Sequence, residues 1–198
     1  MVINTWSSAA IDWIAIATGI AGLLGLVFIV LFFTVGQPFG TLNDICIGLT
    51  AILSMVLVWM LYPGQNAQSS LLSKIMLGLA LLGMLVVVIG SVLVISGARG
   101  WFLAGLYMAV GYALIGLWLL GLNYAALGSN PWSHSLVIFG LVIGVIMALG
   151  LAAVPGMFNG IDSQESASWL INIGQAGALG WLVLYPIWCI LVGRSLLL

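Results

Sequence analysis

Six long apolar runs fill most of the chain, and each is long enough to cross a lipid bilayer as a helix. A hydrocarbon core of about 30 Å needs roughly 20 apolar residues in helical conformation. The runs extend over residues 12–35, 41–62, 71–96, 101–122, 134–154 and 168–192. Because the connections between them are short, the sequence predicts a single polytopic membrane domain over residues 1–198.

Charged residues are scarce in this chain and lie near the ends of the runs. Only 4% of the 198 residues are charged and 64% are hydrophobic, whereas about a quarter of the residues of a soluble domain are charged. A transmembrane β-barrel would alternate apolar and polar residues, but the run from Leu85 to Ile89 is apolar throughout. We therefore predict an all-α integral membrane protein, a six-helix bundle with short loops and with both termini on one side.

The few cations predict the orientation of this bundle. Lys74 and Arg194 would lie on the side of the termini and Arg99 on the other, so the positive-inside rule favours cytoplasmic termini. Asp12 stands at the start of the first run, where a signal peptide would have basic residues, so we expect that run to be a retained span. A formal net charge of −1 provides no basic patch for nucleic acid. The expected partner is the lipid bilayer, with other membrane subunits or a second copy of the chain as further candidates.

Residue types that carry catalytic or metal chemistry are few. Ionisable groups are absent from the middle of the runs, which argues against proton pumps and ion-coupled carriers. The two cysteines lack CxxC spacing and His134 is the single histidine, so we expect no metal site. No Gly-x-Ser-x-Gly elbow occurs either. We expect a protein that is not an enzyme and has no resident cofactor, with His134 as a solvated residue or, alternatively, a pigment ligand.

Small residues recur every fourth position along two of the runs. Such rows allow the close backbone approach that holds helices together in lipid, where hydrophobic association is weak. The rows are Gly140, Gly144, Ala148 and Ala152 on the fifth run, and Gly105, Ala109 and Ala113 on the fourth. They predict helix packing, either within the bundle or, for the fifth run, at a seam with another chain.

Polar and aromatic residues near the middle of the bundle suggest a small pocket. Asn172 and Gln175 are three residues apart, so we expect both amides to project from one side of the sixth helix into the bundle. Tyr112 lies near the middle of the fourth run and Trp181 near the middle of the sixth. The two amides either form hydrogen bonds between helices or line a ligand pocket with Tyr112 and Trp181. Pro186 predicts a kink in the sixth helix.

The ends of the runs carry two further signals. Asp162 and Glu165 have the spacing of a capping box, which predicts the start of the sixth helix or of a short interfacial helix before it. Aromatic residues near span ends predict an interfacial belt. These residues are Trp13, Trp59, Tyr62, Trp101, Tyr124, Trp132, Trp169 and Trp188.

One segment resembles a known group of proteins. The stretch from Pro38 to Ile45 contains Phe39-Gly40 followed by Asn43-Asp44 and opens a helix that ends at Tyr62-Pro63. It resembles a segment of uncharacterised bacterial multi-span proteins of the domain-of-unknown-function type. The resemblance covers about one span in six. It implies an origin in the bacterial inner membrane and implies no activity.

Two functions follow as hypotheses from different classes. The first is a non-enzymatic accessory or scaffold subunit whose small-residue faces pack against other membrane helices. The second is a transporter or channel for a small neutral or lipophilic solute. The second requires a solvent-reachable cavity lined by Tyr112, Asn172, Gln175 and Trp181, whereas a packed interior would argue against it.

Overall fold

The computed structural model of the protein describes residues 8–65, 71–129 and 132–197. Within these ranges the chain forms helices and turns and contains no strand. Six helical segments are long and apolar enough to cross a membrane. The predicted all-α six-helix bundle is therefore confirmed.

Four spans are single helices and two are interrupted. The helices are α1 (Ser8–Val35), α2 (Phe39–Gln65), α3 (Leu71–Ile95), α4 (Trp101–Ser129), α5 (His134–Ala148), α6 (Val154–Phe158), α7 (Trp169–Ala176) and α8 (Tyr185–Leu197). A 3₁₀ turn, Leu149–Ala153, joins α5 to α6 to complete the fifth span, and Pro155 occupies the first turn of α6. In the sixth span a π-helical turn, Gly180–Leu184, joins α7 to α8 just before Pro186. The irregularity predicted from Pro186 is thus a wide turn on its N-terminal side.

The α4 helix is the most buried of the six spans and lies at the centre of the bundle. It packs on one side against α3, where Gly83 and Gly111 bring the two backbones into direct contact. On the other side it packs against α5 and the 3₁₀ turn, where Gly150 meets the Ala109 carbonyl group. Because a Cβ at any of these glycines would overlap backbone atoms, the close approach of α3 and of the 3₁₀ turn to α4 depends on glycine at these positions.

Helix α1 closes the bundle by packing against both α2 and α8. Gly22 touches the Pro186 ring, while Gly193 lies against Ile16. These contacts make α1 and α8 antiparallel, so their ends at Ser8 and Leu197 lie on the same side of the bundle. The α1–α2 turn, the α3–α4 turn and residues 159–168 lie at the opposite end.

The turns at this end follow the glycines in the sequence. Helix α1 ends before Gly36 and α3 ends two residues before Gly97, and these glycines have φ angles of +101° and +69°. Such left-handed conformations exclude most side chains. Each turn is short, so the helices on its two sides are antiparallel neighbours.

Asp162 caps the start of α4, and the capping box predicted for the sixth helix is wrong. One carboxylate oxygen of Asp162 accepts a hydrogen bond from the Gly100 amide at 2.8 Å, and the other accepts one from the Leu103 amide at 3.0 Å. The N-caps of the 3₁₀ turn at Gln164–Ser166 and of α7 are Ser163 and Ser168, and neither side chain forms a capping bond. The chain folds back at residues 159–168, which places the carboxylate against the positive end of a different helix.

The aromatic belt is present in part. Trp13, Trp101 and Trp169 are strongly exposed at span ends, as expected for rings in the headgroup region. Trp188 is fully buried, however, and its ring packs edge-on against Trp132. Trp188 therefore belongs to the core, because its face of α8 points toward the other helices and not toward lipid.

Candidate functional site: an interfacial cleft

A cavity of about 310 Å³ opens at the end of the bundle that carries the α1–α2 turn. Its walls come from the C-terminal half of α1, the first turns of α2 and α4, the end of α3 and the sixth span. Along α2 it extends from Gly40 to Ile47, which corresponds to about 10 Å at 1.5 Å per residue. The cavity is therefore a cleft that enters the membrane from one face.

The cleft exists because the sixth span changes neighbours along its length. Its second half, α8, packs tightly on α1 through Gly19 and Gly22. Its first half, α7, packs instead on the 3₁₀ turn, where Gly174 meets Ala153. Gly177 also lies against this region, at the backbone of Gly150. The divergence of α7 from α1 leaves the space that forms the cleft.

Aromatic and aliphatic side chains make up most of the lining. Exposed residues surround the mouth, while buried residues form the interior. At the mouth lie Phe33, Gln37, Trp101 and Gln164, and in the interior lie Ile47, Phe102, Met108, Ala109 and Trp181. An apolar cavity with a few polar groups is typical of a small-molecule site.

The floor of the cleft is a stack of two aromatic rings. Trp181 lies parallel to Tyr112, with an interplanar angle of 1° and ring centroids 4.8 Å apart. The Tyr112 hydroxyl donates a hydrogen bond of 3.3 Å to the Ile47 carbonyl oxygen and so ties α4 to α2. Below this stack, the Tyr185 hydroxyl donates to Ser54 Oγ at 3.0 Å. These bonds fix the floor rigidly between three helices.

Asn43 and Asp44 supply the polar part of the α2 wall. The Asn43 amide donates a hydrogen bond of 3.3 Å to Asp44 Oδ1. Asn43 Oδ1 is buried at the contact with α1 and has no hydrogen-bond partner. Asp44 is half-buried, five residues into α2. In the sequence both residues fit the start of a helix, and nothing there shows their position beside the aromatic residues of α1 and α4.

The structure brings together three of the four residues proposed for a pocket. Gln175 and Trp181 line the cleft, and Tyr112 lies directly behind Trp181. Asn172 is exposed and lies outside the lining. The expectation that both amides project into the bundle is wrong for Asn172, because the adjacent α7 face packs inward through Ile171 and Gly174.

The small-residue rows pack within the chain. Gly140 lies against the Asn123 side chain, Gly144 against Leu120 and the Gly116 carbonyl, and Ala148 beside Gly116. Ala109 and Ala113 meet Gly150, while Ala152 is half-buried in the 3₁₀ turn.

Gly105 departs from the packing role proposed for its row. A Cβ at Gly105 would have no atom within 4 Å, and this residue lines the cleft. Its missing side chain therefore leaves room for the cavity and does not serve contact with another helix.

The remaining candidates lie away from the cleft. His134 is exposed at the first residue of α5, at the other end of the bundle. Cys46 and Cys189 are buried free thiols. In the described part of the chain, His, Cys, Asp and Glu form no group of three or more that could hold a metal ion.

Comparison of the chain with protein-family models, with curated proteins and with solved structures gives no match. The geometry of the cleft is thus the basis for a functional proposal.

Proposed function

We propose that this protein binds a small lipophilic solute in the interfacial cleft, which is the binding step of a transporter for such a solute. The observation behind this proposal is the cavity of about 310 Å³, which lies among six helical spans and is lined by Trp181 and Gln175. Apolar walls suit a lipophilic body, and a few amides near the mouth suit a polar end. The chemistry required is binding and release, without a covalent step.

A role as a scaffold subunit has less support from the geometry. Its principal support in the sequence is the small-residue row of α5, which can contact another membrane helix only if it faces outward. Gly140 and Gly144 instead contact α4 of the same chain. The row is thus occupied within the bundle, and the cleft is the feature left to explain.

We further propose a bacterial inner-membrane location with cytoplasmic termini. The location is supported by the resemblance of the segment from Pro38 to Ile45, which contributes Gly40, Asn43 and Asp44 to the cleft. The orientation is supported by Lys74 and Arg194 at the end opposite the cleft. In this orientation the cleft opens to the extracytoplasmic face and would take solute from that side.

The proposal can be tested by filling the cleft from a position where a side chain causes no clash. In Gly105→Leu the new side chain would enter the cavity, because the Cβ position is free of neighbours. Gly78→Leu is the matched control, since Gly78 is an exposed helical glycine with equally free surroundings and lies outside the lining. Both substitutions also replace glycine within a helix, so their effects on helix propensity are similar.

The assay measures uptake of tritiated neopentylbenzene by nanodiscs, after subtraction of uptake by protein-free nanodiscs. We expect saturable excess binding by wild type and by Gly78→Leu, and binding at least about tenfold weaker by Gly105→Leu, which corresponds to a loss of about 1.4 kcal/mol. Equal binding by the three proteins, or no saturable binding by wild type, would contradict the proposed function.

A further inference from the structure

The cleft contains a carboxylate in apolar surroundings. Asp44 is half-buried, lines the cavity and is held by one long hydrogen bond of 3.3 Å from Asn43. None of the described residues that line the cleft is lysine, arginine or histidine. An ionised carboxylate in a medium of low dielectric constant is stabilised by a nearby positive charge. The protein itself places no such charge in this lining.

A second observation concerns the oxygen atom next to this carboxylate. Asn43 is only 5% exposed, and its Oδ1 atom has no hydrogen-bond partner. It lies at the contact with α1, beside the α2 wall of the cleft. The Asn43 amide is neutral and donates its N–H to the carboxylate, so Asp44 alone gives this wall its negative charge, and an anionic group would be repelled there.

Aromatic rings surround the same space. Five aromatic residues line the cleft, namely Phe32, Phe33, Trp101, Phe102 and Trp181. The face of an aromatic ring is negative and attracts cations, by about 0.5–2 kcal/mol for each well-placed ring. A carboxylate with several rings around an apolar cavity is the combination that recognises an organic ammonium ion.

We propose that the solute of the cleft is a lipophilic ammonium ion whose cationic group lies against Asp44 and whose apolar part lies among the aromatic residues. This inference rests on the proposed function and names the chemical class of its solute. The volume of about 310 Å³ is at the lower end of the range for small-molecule sites. It therefore favours a small single-chain amine over a lipid with two acyl chains.

Two probes of nearly identical shape test the role of charge. Benzyltrimethylammonium carries a quaternary nitrogen where neopentylbenzene carries a carbon atom, and both are measured in nanodiscs as above. Replacing Asp44 with asparagine keeps the size of the side chain and removes its charge. We expect Asp44→Asn to weaken binding of the cation about tenfold, as a lost charge contact of about 1.4 kcal/mol implies, and to leave binding of neopentylbenzene within about twofold.

Two further variants make this comparison specific. Asp44→Glu should keep the preference for the cation, because it restores the carboxylate in nearly the same place. Glu165→Gln also removes one negative charge, but Glu165 is exposed and outside the lining. It should leave binding of both probes unchanged, whereas an equal loss of cation binding in Glu165→Gln would overturn the assignment to Asp44.

A measurement on wild type alone covers the case in which Asp44→Asn does not fold. Benzyltrimethylammonium should displace bound neopentylbenzene, and benzylsulfonate, an anion of similar shape, should not. Displacement by both ions would overturn the inference. If wild type binds neopentylbenzene and Asp44→Asn binds the cation as tightly as wild type does, the inference is overturned and the proposed function is retained. Absence of saturable neopentylbenzene binding by wild type would overturn the proposed function itself, and this inference with it.

Discussion

Replacing Asp162 with alanine should destabilise the start of α4, although Asp162 is itself exposed and distant in sequence. Its carboxylate accepts hydrogen bonds from the Gly100 and Leu103 amides at 2.8 and 3.0 Å. Loss of an N-cap costs about 0.5–2 kcal/mol, and loss of a negative charge at a helix N-terminus costs about 0.3–1 kcal/mol. Because the site is solvated, we expect a combined loss of about 1–2 kcal/mol in the free energy of unfolding.

The assay is equilibrium unfolding in detergent micelles with increasing SDS, followed by the fluorescence of the nine tryptophans. Glu165→Ala is the control, because Glu165 lies in the same segment and is also exposed. It should change stability by less than about 0.5 kcal/mol, as is usual for surface substitutions. Similar losses in Asp162→Ala and Glu165→Ala would refute a capping role.

A double-mutant cycle gives an independent check of the geometry. A Cβ at Gly100 would lie 2.5 Å from Asp162 Oδ1, so Gly100→Ala should displace the carboxylate. That substitution should cost more stability in wild type than in Asp162→Ala, where the carboxylate is absent. Additive effects would show that the two residues do not interact, since directly contacting residues normally couple.

Two further substitutions, with a third as a control, test the core of the bundle. Gly111→Ala should cost about 1–3 kcal/mol in the same unfolding assay, because its methyl group would overlap the α3 backbone; Gly105→Ala, which has free space, should be neutral or stabilise by up to about 1 kcal/mol. Tyr185→Phe should cost about 0.6–2 kcal/mol through loss of the 3.0 Å bond to Ser54. No loss in Gly111→Ala would contradict the close α3–α4 contact, and no loss in Tyr185→Phe would show that this bond does not contribute to stability.

The number and type of spans could be predicted because lipid leaves the backbone little choice. Without water to satisfy amides and carbonyls, an apolar run must form its hydrogen bonds internally as a helix. The long runs therefore set the six spans, and Gly36 and Gly97 mark where two of them end. Helix formation by an apolar run and chain reversal at a glycine are both local effects, and tertiary contacts do not alter them here.

The site was predictable only in part because it depends on how distant helices diverge. Trp181 and Gln175 stood out as polar or aromatic residues within a span, and both line the cleft. Asp44 and Gly105 could not be assigned to a site from the sequence, since an acid at a helix start and a glycine in a packing row have ordinary local explanations. Both residues line the cleft because α7 separates from α1, and the sequence pattern of neither helix predicts that separation.

The capping of α4 by Asp162 has a consequence for the order of synthesis. Asp162 follows the Gly100 and Leu103 amides by 62 and 59 residues, with the whole fifth span in between. When α4 leaves the ribosome, its first amides therefore lack their carboxylate. They acquire it only after the fifth span has been made and the chain has returned to the same face of the membrane. The fourth and fifth spans with residues 159–168 thus mature as one folding unit, and a nascent chain that stops before Asp162 carries an unfinished fourth helix.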